Sequence, residues 1–122
     1  MELGQNEMII IFNSKDNAHK EAIAYASILS GKVRQFDITK VRFTEKILSD
    51  LARRLKVEVS ELLDVEGDLF TRLRLSIARI DNRSAMNLIL EYPELLKTPI
   101  LLTHNGTIFI KDKHDIMNLA VA

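Results

Sequence analysis

The chain has 122 residues, enough for one domain with a substantial core. Seventeen basic residues balance seventeen acidic ones, so no net field draws it to nucleic acid or to acidic membranes. It contains no cysteine, which excludes disulfides, thiolate metal sites, iron–sulfur clusters and any thiol cycle run by the protein itself.

Residues 1–7 read as a loose tail, and "MIIIF" is too short for a membrane span or the apolar segment of a signal peptide. The chain is therefore expected to be cytoplasmic. Met8 to Phe12 suits a strand buried on both faces, bounded by Asn13 and Ser14. Ala18, Ala22, Ala26 and Leu29, with Tyr25 beside them, predict a helix that Gly31 closes. Val33 to Ile38 is a second strand, and strand, helix and strand over this span form a βαβ unit.

The middle of the chain, about residues 44–92, reads as a helical insert. Thr44 is the expected N-cap of "EKILSDLARRL", Ser60 and Glu61 start a short helix through Leu62 and Leu63, and "RSAMNLILEY" forms another from Asp81 or Asn82. Arg53, Arg54 and Lys56 gather at a helix end, where cations complement the dipole. Pro99 is placed at the first position of the strand "ILLT". "ILLTHNGTIFI" predicts a hairpin turning at Asn105–Gly106, with positive φ at both residues, and "HDIMNLAVA" a closing helix packed on the sheet. Residues 8–122 thus read as a single domain.

Three stretches carry a resemblance to the ArsC/Spx family: "IIIFNSKDNAHKEAIAYASIL", "SELLDVEGDLFTRLRL" and "YPELLKTPILLTHNGTIFIKDKHDIMNL". The resemblance implies a thioredoxin-like α/β fold, with a four-stranded mixed sheet (βαβ, helical insertion, ββα) flanked by helices. It also implies a cis Thr98–Pro99 bond, whose neighbouring backbone can pair with an extended substrate. The family's attacking cysteine falls on Asp16, and the second cysteine of Spx-type members falls on His19. Family arginines fall on Asp64, Thr98 and Lys111, and only Lys111 keeps the positive charge. A carboxylate cannot complete a thiol cycle, and Asp16 and Asp64 repel the oxyanion that a cysteine and an arginine would draw.

The expectation is therefore an arsenate reductase-related pseudoenzyme, with catalytic positions degenerate at Asp16, Asp64, Thr98 and Lys111. It is expected to act as a protein-binding or regulatory module through Asp16, Asn17, Thr98 and Pro99, with no cofactor, no metal, no membrane and no direct nucleic-acid contact. The alternative is an enzyme using an external thiol or an Asp16/His19 acid–base pair. Asp16 and Asn17 also suit plain helix capping. His19, His104 and His114 lack metal-ligand spacing. Arg72, Arg74, Arg79 and Arg83 concentrate positive charge in the insert, where Spx-type relatives suggest a docking face.

Overall fold

The structure is a computed structural model that describes Leu3 and residues 7–120. The expected tail at residues 1–7 lies outside the described residues except for Leu3 and Glu7, and Glu7 pairs with Arg34 at 3.1 Å. The last two residues of the expected closing helix, Val121 and Ala122, also lie outside them. The chain divides into two compact units, Met1–Val41 with Thr98–Ala122, and Arg42–Lys97.

The first unit holds a four-stranded mixed sheet in the order β2-β1-β3-β4. Its strands are β1 (Met8–Phe12), β2 (Val33–Asp37), β3 (Ile100–Thr103) and β4 (Gly106–Phe109), with helices α1 (Asn17–Leu29) and α5 (Lys113–Ala120). β1 pairs parallel with β2 and antiparallel with β3, and β3 pairs antiparallel with β4. β1 lies between two neighbours and all five of its residues are buried, so the unbroken apolar run is a central strand with no solvent face. Met8, Ile10 and Phe12 pack with Ala22, Ala26, Leu101 and Ile116, joining the sheet to α1 and α5. Ile9 and Ile11 point to the other face and are fully buried as well. Each such isoleucine contributes about 2–3 kcal/mol by leaving water.

Three local expectations shift by a residue. The inward stripe of α1 is His19, Ala22 and Ala26, whereas Ala18 is exposed, because the imidazole nitrogens of His19 have partners and the ring can be buried. α1 ends on Ser30 in extended backbone, its N–H bonded to the Ala26 carbonyl, so Gly31 is not the cap. β2 stops at Asp37, one residue before Ile38.

The hairpin also turns one place earlier than Asn105–Gly106. Thr103 pairs with Gly106, leaving His104 and Asn105 as the turn residues, and neither has positive φ; Gly106 carries it instead, at φ 150°. Side-chain bonds decide this. Thr103 Oγ1 accepts the Asn105 N–H at 3.1 Å, and Asn105 Nδ2 donates to the Leu119 carbonyl at 3.0 Å, which ties the turn to α5. Pro99 precedes β3, and its carbonyl accepts the Ile110 N–H at 2.9 Å.

The second unit contains α2 (Glu45–Leu55), α3 (Asp68–Arg72) and α4 (Asn82–Glu91), with single 3₁₀ turns at Val59–Leu62, Ile77–Arg79 and Pro93–Leu95. Thr44 caps α2 through a bond from the Ile47 N–H, and Asp81 caps α4 through one from Ser84. The helix expected from Ser60 is instead the 3₁₀ turn, held by reciprocal bonds between Glu58 and Glu61. The two leucine pairs, Leu62–Leu63 and Leu95–Leu96, are all buried and lie against each other in a one-residue antiparallel bridge. The Asp64 N–H bonds Leu95 O at 2.8 Å, and the Lys97 N–H bonds Leu62 O at 2.7 Å. Arg53 and Arg54 both bond Asp50, so two of the three clustered cations have a local partner. No helix among the described residues is long and apolar enough to cross a membrane.

Gly106→Ala is expected to destabilise the protein by about 1–2 kcal/mol, because an L side chain resists this φ and its Cβ would lie 3.4 Å from the Leu119 side chain. Chemical denaturation followed by circular dichroism measures the loss.

Candidate functional site

The loop from β1 to α1, residues 13–16, is where a reactive group would be presented, and the structure shows what its amides do. The Asn13 N–H donates to His19 Nδ1 at 3.0 Å. The Ser14 N–H donates to Asp37 Oδ1 at 3.3 Å, and the Lys15 N–H to Asn13 Oδ1 at 2.9 Å. The Asp16 N–H bonds the Asn13 carbonyl at 3.0 Å, and the Ala18 N–H bonds Asp16 Oδ1 at 3.0 Å. A loop at a helix start binds an oxyanion by offering such N–H groups to it. Here five of them are held by the protein's own acceptors, two of which are carboxylates.

Asp16 is the N-cap of α1, in extended backbone, as its residue type suggests. Asn17 is the first helical residue and is exposed, and its side chain makes no hydrogen bond among the described residues. His19 lies one turn on and is buried, with Nε2 3.3 Å from Asp16 Oδ2. Since Nδ1 accepts the Asn13 N–H, the neutral ring carries its proton on Nε2, the nitrogen nearer Asp16. His19 therefore does not point away from Asp16, and its Nδ1 is used in holding the loop.

Asp37, at the end of β2, anchors the loop from the other side. Its Oδ1 accepts the Ser14 N–H, the Thr39 N–H at 3.0 Å and the Thr39 hydroxyl at 2.8 Å, while Ser14 Oγ lies 3.2 Å from Thr39 Oγ1. Burial alone would raise the Asp37 pKa, but the hydrogen bonds from Ser14 and Thr39 together outweigh it and bring the carboxyl down to about 2. Sequence reasoning missed this residue. Its only signal was a polar Asp-x-Thr at a strand end, a pattern common in ordinary turns.

Beside the loop is an open cleft of about 470 Å³. One wall is α1, through Ala18, His19, Glu21 and Ala22; the other is Thr98, Pro99 and the residues from Ile110 to Asp112. The Thr98–Pro99 peptide bond is cis, the isomer that the resemblance implies. Of the residues singled out from sequence, His19, Thr98, Pro99 and Lys111 line the cleft, and Asp16 and Asn17 do not. Asp64 belongs to the second unit, where its backbone joins the leucine bridge. Asp112 accepts the His114 N–H at 2.7 Å, and Asp115 accepts those of Lys111 and Asp112, so this edge is fixed by the capping of α5. The bonds from Lys111 and Asp112 hold the Asp115 carboxyl below the usual range. The charged lining is Glu21 and Asp112 against Lys111, a balance that does not favour an oxyanion. Among the described residues no group of three or more His, Asp or Glu side chains could hold a metal ion.

The ArsC family model matches residues 13–113, most of the chain. The protein belongs to the ArsC family. No curated protein matches it. Among solved structures, the arsenate reductase from Vibrio cholerae superposes with a TM-score of 0.81 at 16% identity, covering 95% of this chain and 99% of its own. An arsenate reductase (ArsC) related protein from Brucella melitensis gives a TM-score of 0.66 at 20% identity, covering 96% of this chain and 97% of its own. At these identities the likeness establishes the fold, a thioredoxin-like sheet with flanking helices. This member carries that fold with no cysteine anywhere in the chain.

The Asp37 clamp predicts a defined acid response. A carboxyl with a lowered pKa in the folded state contributes stability that is present above about pH 4 and is lost as pH falls toward 2. Asp37→Asn should cost about 1–2 kcal/mol at neutral pH and flatten the stability curve between those limits. Urea unfolding at a series of pH values would reveal both effects, and an unchanged curve would remove Asp37 from this role.

Proposed function

We propose that this protein is a non-catalytic member of the ArsC family, a protein-binding or regulatory module that uses the cleft between α1 and the Thr98–Pro99 edge. The observation that carries this reading is the occupied loop. Asp16 supplies, from within the chain, the negative charge that the start of α1 would otherwise take from a bound anion. The same side chain stands where the resemblance puts the cysteine, so the change that removes the nucleophile also fills the site. What remains is a groove with an apolar floor of Ala22, Pro99 and Ile110 and a charged rim of Glu21, Lys111 and Asp112. Such a lining suits a peptide or protein segment better than a small oxyanion.

The contact between Asp16 and His19 favours a second reading, acid–base catalysis by that pair. Against it, Nδ1 accepts a backbone N–H and Nε2 faces Asp16, which leaves the ring no lone pair to offer a substrate. The two readings separate experimentally. The purified protein, supplied with glutathione and glutaredoxin, should not reduce arsenate, and calorimetry should detect no binding of arsenate or phosphate. Among peptides selected for binding to the whole protein, one class should lose about tenfold or more in affinity on Thr98→Arg, which obstructs the cleft. Arsenate turnover, or a hydrolytic activity abolished by His19→Ala in a folded protein, would replace the module with an enzyme.

A further inference from the structure

The run Thr71–Arg79, "TRLRLSIAR", is the most unusual surface of the second unit. Arg72, Arg74 and Arg79 are exposed, and none of their side chains makes a hydrogen bond or ion pair within the described residues. Arg83, nearby in sequence, is different, since it bonds Glu45. Between these arginines in sequence lie partly buried Leu73 and Leu75 and exposed Ile77, and the 3₁₀ turn Ile77–Arg79 contributes no buried residue.

The backbone at Arg74 sharpens the point. The Leu75 N–H bonds Phe70 O at 3.3 Å and the Arg74 N–H bonds Thr71 O at 3.0 Å, the paired bonds of a Schellman cap with Arg74 at its left-handed position, φ 54°. Glycine is the usual residue there because a Cβ is sterically disfavoured. Lys56 closes α2 in the same way at φ 59°, but α2 has eleven residues whose aligned dipoles favour a cation at its end. α3 has only five and little dipole to complement. A strained arginine whose side chain makes no hydrogen bond or ion pair among the described residues breaks a local rule without a polar gain, and such breaks concentrate where a surface is used.

We infer that the segment Thr71–Arg79 docks an acidic, partly apolar segment of another protein. Arginine pairs bidentately with carboxylates and is enriched at interface centres, and the interleaved Leu73, Leu75 and Ile77 offer the apolar contact that a polypeptide can match. A nucleic acid fits less well. A phosphate backbone gains nothing from the apolar side chains between the arginines.

Selection of random peptides displayed on phage against the full chain tests the inference. Peptides that place aspartate or glutamate beside an apolar residue should be enriched, and their affinity should fall by about fivefold or more on Arg74→Gly. That variant should keep or raise the thermal midpoint, since glycine relieves the backbone, so weaker binding cannot be ascribed to unfolding. Peptides without acidic enrichment, or acidic peptides indifferent to Arg74→Gly, overturn the proposal. Binding weakened by Thr98→Arg but not by Arg74→Gly assigns those peptides to the cleft and overturns it too, while leaving the reading of the cleft intact. A short RNA or DNA probe that binds more tightly than any peptide and is lost on Arg74→Gly would replace the acidic protein with a nucleic acid.

Discussion

β1 has no solvent face, and the first unit is arranged to satisfy that condition. Five consecutive buried residues need a strand on each side and apolar cover. β2 supplies one neighbour through the α1 crossover, and β3 supplies the other from far along the chain. Because β1 and β2 run parallel, their carboxyl ends fall together, and this brings Asp37 to the loop that follows Phe12. The loop's polar fastening thus follows from the apolar demand of the strand.

That fastening governs the chemistry. An anion site at a helix start is a set of N–H groups left unsatisfied until the ligand arrives. In this chain the acceptors are built in: Asn13, Asp16, His19 and Asp37 take them up. Asp16 does more than cap a helix. Its carboxylate takes up the Ala18 N–H and lies beside the His19 ring, whose Nδ1 takes up the Asn13 N–H, so the loop's amides are satisfied within the chain.

Much of the fold was legible from local pattern. The isoleucine run, the N-caps at Asp16, Thr44 and Asp81 and the β-hairpin each rest on interactions within a few residues, which sequence spacing encodes directly. The errors came where side-chain or backbone bonds outside the periodic pattern decided the outcome. Asn105 sits in the turn because its side chain reaches Leu119, so the positive φ moved to Gly106. His19 took the buried place expected of Ala18 because Asn13 and Asp16 satisfy its ring. The bridge between Leu63 and Leu96 joins positions more than thirty apart, which periodicity cannot pair.

The sequence by itself determined one chemistry that is absent, since no arrangement of a chain without cysteine can run a thiol cycle, and it carried the family plan in the three stretches that bear the resemblance. Tertiary structure decided what stands in place of that chemistry. Whether Asp16 is an open carboxylate or a cap, whether His19 is free or locked, and whether Asp37 touches the loop at all depend on bonds between residues brought together by the sheet. Residue identity states which groups are available, and only the folded backbone sets which of them are already spent on one another.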